Sequence, residues 1–300
     1  MTAFNCVGIL AHPLRPHTAP VAEQVAASLT ARGIRCWLRT RWAEDDVHDA
    51  VAESDLVVAI GGDGAMLRAA RVCARYGVPV LGVNKGLLGF LTEIDDPSTW
   101  ETQLDRLLEG RYWIEERMML RAAIVHNGAV VGEAEALNDV VVSRGVVTRT
   151  VRFETYIDGG WATTYNADAV IIATPTGSTA YALACGGPIL PPELFNILIV
   201  PVAPHLSMDR PIVLSQGAVV EVIPSPDADR EIVVTFDGQL LFGVHSGDLV
   251  RVQASDHIGR FVRLRERGYF YRSLLDRLEP PRLKPPGQPP ADRLPQKDAS

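Results

Sequence analysis

A glycine-rich turn with one acidic residue, Gly61-Gly62-Asp63-Gly64, is the part of the sequence best suited to chemistry on phosphates. It directly follows the apolar run 57–60 and precedes a segment with helical periodicity. Glycine leaves the backbone bare and permits positive φ, so successive N–H groups can converge on an anion. The N-terminus of the following helix adds a favourable potential. The pattern therefore predicts a polyphosphate site.

Asp63 has the wrong charge for a phosphate ligand, so it needs a separate role in this turn. A carboxylate here can hold Mg²⁺ or accept the proton of an attacking hydroxyl. The alternative is an ordinary strand-to-helix turn with Asp63 as the N-cap of the helix. The four residues alone leave both interpretations open. The sequence contains neither a GxxxxGK[ST] loop nor a GxGxxG after a strand, so the two common nucleotide-binding motifs are excluded.

Two further segments have the composition of ligand-binding turns. Asn84-Lys85-Gly86-Leu87-Leu88-Gly89-Phe90-Leu91 follows an apolar run, although by itself it fits any loop. Ala173-Thr174-Pro175-Thr176-Gly177-Ser178-Thr179-Ala180-Tyr181 combines a strand end, a Pro-fixed turn and several hydroxyls. Hydroxyl and N–H groups suit sugars and amides, and Tyr181 offers a face on which a base can stack. A hydroxyl-rich helix cap would explain Ser178 and Thr179 but not the whole string.

The elements that must position these turns alternate between strands and helices over the first hundred residues. This alternation predicts a Rossmann-like α/β domain, a parallel sheet covered by helices, with ligands at the carboxyl ends of the strands. Both glycine turns lie at such ends. The apolar runs and periodic segments predict strands at 6–13, 34–40, 55–60 and 78–84, and helices at 20–33, 65–77 and 100–110.

The pattern changes at about residue 117, where short β-type runs are separated by turn dipeptides. Asn127-Gly128, Asp158-Gly159 and Ser246-Gly247-Asp248 are hairpin signals. We therefore expect a mostly antiparallel, β-sandwich-like second domain. The predicted boundaries are 1–116 for the α/β domain, 117–262 for the β-rich domain, 263–278 for a strand end and helix returning to the first domain, and 279–300 for a disordered, proline-rich tail.

Composition excludes several classes of function. The formal net charge of −7 argues against a broad nucleic-acid surface, which needs an excess of Lys and Arg. The sequence has no uninterrupted apolar run of about 20 residues and no signal-peptide pattern, so we expect a cytoplasmic protein without a membrane span. The four cysteines show no close spacing that would indicate a metal site or a disulfide framework.

Taken together and in this order, GGDG, NKGLLGFL and TPTGSTAY resemble the NAD kinase family, from about Cys6 to Leu278. The resemblance implies an α/β domain followed by a β-rich domain, with the active site between them, in a homodimer or homotetramer. It also implies phosphoryl transfer from ATP, with Mg²⁺ or another divalent metal, to the adenosine 2′-hydroxyl of NAD, which gives NADP. Inorganic polyphosphate as donor and NADH as acceptor stay open.

The family pattern can be carried over residue by residue. It identifies Asp63 as the catalytic residue and no residue as a dedicated metal ligand. The predicted contacts of NAD and ATP are Gly61, Gly62, Gly64, Arg68, Asn84, Asn138, Asp139, Arg149, Asp168, Thr176, Thr179, Ala180, Tyr181, Ala184 and Gln239.

The sequence departs from the family pattern at three places. Ala65 replaces a threonine, Asp139 replaces a glutamate, and Tyr165-Asn166-Ala167-Asp168-Ala169 replaces a Tyr-Arg-Gly-Asp-Gly segment. Two alternatives therefore accompany the main hypothesis: a kinase for another hydroxyl compound, and a non-catalytic dinucleotide sensor. Incubation with ATP, Mg²⁺ and NAD separates them, because a sensor would bind without turnover and another kinase would ignore NAD.

Overall fold

The computed structural model describes residues 4–86, 89–145, 151–225, 232–245, 247–271 and 274. The chain divides into two compact units, Met1–Leu264 and Arg265–Ser300. In the second unit, residues 269–271 and 274 are helical. The first unit contains all the predicted site residues. The predicted boundary between residues 116 and 117 stays a prediction.

The described helices are Ala19–Ala31 (α1), His48–Ala52 (α2), Asp63–Ala74 (α3), Trp100–Leu108 (α4) and Tyr181–Ala184 (α5). The described strands are Cys6–Ala11 (β1), Arg35–Arg39 (β2), Leu56–Gly61 (β3), Val80–Asn84 (β4), Trp113–His126 (β5), Ala129–Ala136 (β6), Asp139–Arg144 (β7), Val151–Ile157 (β8), Gly160–Ala167 (β9), Ala169–Ala173 (β10), Asn196–Val202 (β11), Ile212–Ser215 (β12), Val220–Pro224 (β13), Ile232–Phe236 (β14), Leu240–Val244 (β15) and Leu249–Arg263 (β16).

The first four strands form a parallel sheet in the order β2-β1-β3-β4. Helices cover both of its faces. Leu56, Val58 and Ile60 of β3 pack in the core with α1 and α4, whereas Val57 and Ala59 pack with α2 and α3. Burial on both faces explains why β3 is a continuous apolar run without polar alternation. The predicted α/β arrangement is confirmed.

The parallel strands continue into antiparallel strands within one sheet of ten. Its order is β2-β1-β3-β4-β16-β13-β8-β9, with β5 also paired to β16 and β6 to β5. The junction is the parallel pairing of β16 with β4, at Phe261 and Val80. Because β16 is the last described strand of the first unit, a segment late in the chain completes the sheet that β1 and β2 started.

A second sheet of six strands, in the order β12-β11-β10-β7-β14-β15, is antiparallel throughout. It shares one hydrophobic core with the antiparallel part of the large sheet, including Phe153, Tyr165 and Phe236. Two antiparallel sheets around one core form a sandwich. The predicted sandwich-like second half is confirmed.

The turn dipeptides behave as the sequence predicts. Asn127 and Gly128 have φ of 48° and 81°, and Asp158 and Gly159 have φ of 51° and 78°. Positive φ at both central residues is the pattern of the type I′ hairpin turn, which matches the twist of the flanking strands. They join β5 to β6 and β8 to β9. Ser246, in the third predicted turn, lies outside the described residues.

Candidate active site

The first glycine turn lies where β3 ends and α3 begins. Gly62 is the N-cap residue in an extended conformation, and Asp63 is the first residue of α3. The alternative interpretation of Asp63 as the N-cap is therefore wrong. The turn borders a cavity of about 280 Å³ that is lined by His12, Arg15, Gly62, Asp63, Gly64, Ala65 and Gly89.

The second glycine turn holds the Asp63 carboxylate. The backbone N–H of Phe90 donates to Oδ2 at 2.8 Å, and the N–H of Leu91 donates to Oδ1 at 3.0 Å. A β-carbon added at Gly89 would overlap this carboxylate. Gly89 thus permits the close approach of the two turns. Each carboxylate oxygen accepts one of these bonds and has lone-pair capacity left for a substrate hydroxyl.

Two residues missed by the sequence reasoning, His12 and Arg15, follow β1 and line the same cavity. They arrive there because β1 is parallel to β3, with Ala11 paired to Ile60. Burial, followed by the charges of Arg15 and Arg68, lowers the pKa of His12. The signal for these residues was their position: polar residues at the end of a strand beside the strand that carries the glycine turn.

Asn84, predicted as a nucleotide contact, is 6% exposed and closes its own turn. Its Oδ1 accepts from the N–H of Gly86 at 3.1 Å, and its Nδ2 donates to the Gly86 carbonyl at 3.4 Å. In this structure, its side chain fixes the backbone at the start of the second glycine turn.

The Asn138-Asp139 pair lies at the start of β7 and is organised by a residue that the sequence reasoning did not select, Asp237. The Asp237 carboxylate accepts from the backbone N–H groups of Leu137, Asn138 and Asp139 at 3.1, 2.7 and 3.3 Å. It also pairs with the guanidinium of Arg71 at 2.8 Å. The available signal was the Asp-Gly dipeptide at 237–238, which indicates a turn but not a fully buried carboxylate.

Arg71 and Gln239 connect this turn to the first glycine turn. Arg71 donates to the Gln239 side-chain oxygen at 2.9 Å, and the Gln239 amide donates to the Gly64 carbonyl at 3.2 Å. Arg71 also pairs with Glu44 at 2.6 Å. The structure therefore brings the predicted residues Gly64 and Gln239 together across 175 residues of sequence.

Arg68 lies on α3 with its guanidinium 5.6 Å from the centre of the Trp42 ring. It lines a separate cavity of about 680 Å³, together with Arg71 of the same helix and Arg75, which caps the end of that helix. At this distance the guanidinium is attracted to the negative face of the ring. The predicted nucleotide contact of Arg68 stays a prediction.

The threonine- and serine-rich string packs against the start of β7. Thr174 Oγ1 donates to the Leu137 carbonyl at 2.5 Å and accepts from the Gly177 N–H at 3.1 Å. A β-carbon at Gly177 would overlap the carbonyl of Asn138. Thr179 Oγ1 donates to the Thr176 carbonyl at 3.2 Å. These hydroxyls mainly build the turn and hold it against Asn138.

A cavity of about 390 Å³ opens beside this turn. Asn138, Asp139, Ala180 and Tyr181 are the predicted contacts among its lining residues. Tyr181 is 44% exposed, so its ring face is accessible for stacking. The remaining lining residues are Val141, Ser143, Thr235, Asp237 and Gly238.

Three further predicted contacts, Asp168, Thr176 and Ala184, are not among the residues that line this cavity. Asp168 forms a two-pronged ion pair with Arg144, with N–O distances of 2.9 and 3.0 Å. Arg144 was not selected from the sequence. Thr176 is buried, and Ala184 is exposed at the end of α5. Arg149 lies outside the described residues.

The electrostatics at Asp139 are unusual for a carboxylate. Burial, with a second contribution from the Asp237 carboxylate, raises the pKa of Asp139 to about 7. A carboxyl group in this state exchanges its proton near neutral pH, and it changes from a hydrogen-bond donor to an acceptor when it does. Burial also raises the pKa of Tyr181, with Cys185, Asp168 and Asp139 contributing.

Within the described residues, no group of three or more His, Cys, Asp or Glu side chains is arranged to hold a metal ion. Mg²⁺ commonly binds through substrate phosphates and one or two carboxylates, with the rest of its ligands water. A metal that arrives as the ATP complex belongs to the substrate. No helix in the described part of the chain has the length and apolar content of a membrane span.

Sequence models of both ATP-NAD kinase domains match the chain, the N-terminal domain over residues 7–112 and the C-terminal domain over residues 137–264. The chain belongs to the NAD kinase family. A family member from Geotalea daltonii is 38% identical over 274 residues, which cover 88% of this chain and 95% of the relative. One from Ectopseudomonas mendocina is 45% identical over 216 residues, which cover 72% and 73%.

Solved NAD kinase family structures share the fold. The crystal structure of yeast NADH kinase complexed with NADH aligns with a TM-score of 0.79 and 25% identity, covering 93% of this chain and 89% of the yeast chain. The Archaeoglobus fulgidus NAD kinase in complex with ATP aligns with a TM-score of 0.70 and 23% identity, covering 90% and 97%. The family and the fold class expected from the three motifs are confirmed.

Proposed function

We propose that this NAD kinase family member transfers the γ-phosphoryl group of ATP to the adenosine 2′-hydroxyl of NAD, with Asp63 as the general base. The observation that carries the assignment is the Asp63 carboxylate, held by two backbone N–H groups at the edge of the 280 Å³ cavity. The 2′-oxygen forms a bond to the γ-phosphorus as the bond from that phosphorus to the β,γ-bridging oxygen breaks. Asp63 takes the hydroxyl proton, and ADP leaves.

The donor side of the site is formed by the first glycine turn and its neighbours. Backbone N–H groups at the N-terminus of α3 and the guanidinium of Arg15 provide positive potential for a triphosphate. Ala65, where the family pattern has a threonine, is buried. Because alanine has no hydroxyl, phosphate binding here depends on backbone N–H groups and arginine. The ATP complex of the Archaeoglobus protein supports ATP as the donor. Mg²⁺ enters with the ATP.

The acceptor side is the 390 Å³ cavity with Asn138, Asp139 and Tyr181. Amide and carboxyl groups suit the ribose hydroxyls of a dinucleotide, and the Tyr181 ring suits a base. The NADH complex of the yeast protein supports a dinucleotide here. Phosphoryl transfer depends on positioning more than on covalent chemistry, and the Asp237, Arg71 and Gln239 contacts hold the two sides in register.

The substitution Asp63→Asn tests the assignment. It keeps the size of the side chain but removes the proton acceptor, so we expect kcat to fall by about 10²–10⁴-fold while NAD binding persists. NADP formation from ATP, Mg²⁺ and NAD measures turnover, and calorimetry measures binding of NAD. Asp105→Asn, at a surface carboxylate paired with Arg32, is the matched control. Near-normal turnover of the Asp63 variant would remove that residue from the role.

Assembly and location stay predictions of the family resemblance. A homodimer or homotetramer and a cytoplasmic location are both expected. Light scattering on the purified chain measures the first, and fractionation of cells that express it measures the second. A monomeric, fully active enzyme would contradict the expected assembly.

A further inference from the structure

Four charged side chains, Glu93, Arg263, Glu115 and Arg117, form a continuous buried chain that we call the ionic bridge. Their exposed fractions are 4%, 0%, 4% and 2%. Strand alternation places Glu115 and Arg117 on one face of β5, and Arg263 ends the neighbouring strand β16. Glu93 follows the second glycine turn, so the bridge joins that turn and β5 to the end of β16, about 150 to 170 residues further along the chain.

Negative and positive side chains alternate along the ionic bridge. Arg263 Nη1 lies 3.3 Å from Glu93 Oε2, and Arg263 Nε donates to Glu115 Oε2 at 2.8 Å. Arg117 Nε donates to the same Glu115 oxygen at 3.0 Å. Burial by itself would raise the pKa of Glu115, but the guanidinium groups of Arg117 and Arg263 outweigh it and lower that pKa. Both guanidinium groups also lie 5.4 Å from the centre of the Phe261 ring.

One end of the ionic bridge reaches the loop that orients Asp63. Arg263 Nη1 donates to the Leu91 carbonyl at 3.0 Å. The N–H of the same Leu91 donates to Asp63 Oδ1 at 3.0 Å. One residue therefore separates the Arg263 guanidinium from the proposed general base.

The other end reaches the turn beside the dinucleotide cavity. Arg117 Nη1 donates to Thr176 Oγ1 at 3.4 Å. The Thr176 carbonyl accepts from Thr179, the residue before Ala180 and Tyr181, which line the cavity. The bridge thus has one contact on each side of the phosphoryl transfer.

Energetics favour a positioning role over a stabilising one. Buried ion pairs are often no more stabilising than apolar side chains of similar volume, because desolvation of the charges is costly. Their hydrogen bonds, however, fix the orientation of the groups that they join. The planar Arg263 guanidinium donates towards Leu91, Glu93 and Glu115 at once, and a lysine ammonium cannot reproduce that fork.

We propose that Arg263 and Arg117 are positioning residues for phosphoryl transfer: Arg263 holds the loop that orients Asp63, and Arg117 holds the Thr176 turn against bound NAD. The inference rests on the proposed role of Asp63. It assigns a kinetic consequence to each end of the ionic bridge, kcat to the Arg263 end and KM for NAD to the Arg117 end.

Lysine substitutions test the two ends while keeping the charge. For Arg263→Lys we expect kcat to fall at least about tenfold with KM for NAD within about twofold, since small misplacements of reacting groups cost this much or more. For Arg117→Lys we expect KM for NAD to rise about fivefold with kcat within about twofold. Arg251→Lys, on the same strand β16 in an exposed pair with Glu221, is the control and should leave both constants unchanged.

Thermal unfolding separates positioning from a merely structural role. The kinetic changes are expected in variants whose melting temperatures match that of Arg251→Lys. If turnover falls only in proportion to the folded fraction, or if both constants stay at their original values, the proposal is overturned. If Arg263→Lys does not fold, the charge-balanced Glu93→Met/Arg263→Met variant is measured in its place, with the same fall in kcat expected and normal kcat overturning the proposal.

Asp63→Asn is assayed in parallel, so the two proposals can fail separately. An inactive Asp63 variant beside a fully active Arg263→Lys enzyme would overturn the ionic-bridge proposal alone. A fully active Asp63 variant would overturn the proposed general base whatever the lysine variants show.

Discussion

At the residue scale, the site contains carboxylates in very different surroundings. Asp63 accepts hydrogen bonds from two backbone N–H groups at the edge of a cavity. Asp237 is buried and accepts from three backbone N–H groups and from Arg71. Asp139 is buried beside Asp237. Hydrogen-bond donors and cations favour a carboxylate, whereas burial and a second carboxylate favour the protonated acid. The same residue type is therefore suited to three roles: base, structural clamp and proton-exchanging ligand.

The pKa of about 7 for Asp139 predicts how stability depends on pH. The folded pKa lies above the unfolded value of about 4, so the protonated form stabilises the fold below pH 4 and this contribution is lost as pH rises through 7. Between those values the contribution declines by up to about 1.4 kcal/mol per pH unit. Asp139→Asn should remove that slope. Urea unfolding at pH 5, 6, 7 and 8 measures it against the unsubstituted chain, and equal slopes in the two proteins would contradict the assignment.

At the scale of elements, the Asp63 carboxylate lies in a clamp between two turns. The turn after β3 supplies the carboxylate, and the turn after β4 supplies the N–H groups of Phe90 and Leu91. β3 and β4 are neighbouring parallel strands, with Gly61 paired to Asn84. Their carboxyl ends therefore meet at one edge of the sheet, which is why a glycine-rich turn that by itself fits any loop supports the first turn.

Gly89→Ala tests this clamp. The added methyl group would overlap the Asp63 carboxylate, so either that side chain or the loop must move. We expect kcat to fall by about 10–100-fold with little change in melting temperature. Gly86→Ala in the same loop is the control, because a β-carbon there would meet Arg15 only at 3.4 Å and Asn84 only at 3.9 Å. Equal activity of the two alanine variants would rule out the clamp.

At the scale of the whole first unit, the two halves of the site are connected through one continuous sheet and a small set of side chains. β16 joins the parallel strands to the antiparallel strands. Across the site, Asp237 holds the start of β7 and Arg71 of α3, and the same helix begins at Asp63. The relative position of donor and acceptor thus depends on contacts between residues that lie far apart in sequence.

Asp237→Asn probes this long-range connection. Both oxygens of the Asp237 carboxylate accept hydrogen bonds, whereas an asparagine amide has only one accepting oxygen. At least one buried N–H donor therefore loses its partner. We expect the free energy of unfolding to fall by about 3 kcal/mol and KM for NAD to rise. Asp158→Asn is the control, because it also lies in an Asp-Gly hairpin turn but accepts one N–H, from Val219, at an exposed site. Denaturant unfolding measures the free energy of unfolding of the two variants, and steady-state kinetics measures their KM for NAD. Equal effects in the two variants would show that Asp237 is not the connecting residue.

The sequence by itself determined the local features of this protein and the membership of its family. Alternating apolar runs and helical periods predicted the α/β half, Asn-Gly and Asp-Gly dipeptides predicted the hairpins, and three ordered motifs identified NAD kinase. Each of these signals is local, because helix periodicity, turn chemistry and motif order are properties of neighbouring residues.

Only the tertiary structure showed which residues meet. The partners of Asp63 come from the turn after the adjacent strand, Asp237 lies 99 positions from Asn138, and Arg263 reaches Leu91 across 172 positions. Arg71 and Arg144 carry no local signal of function, and His12 and Arg15 show locally only that they follow a strand. Strand order and register bring them to the site, and these depend on burying both faces of a sheet that β16 completes.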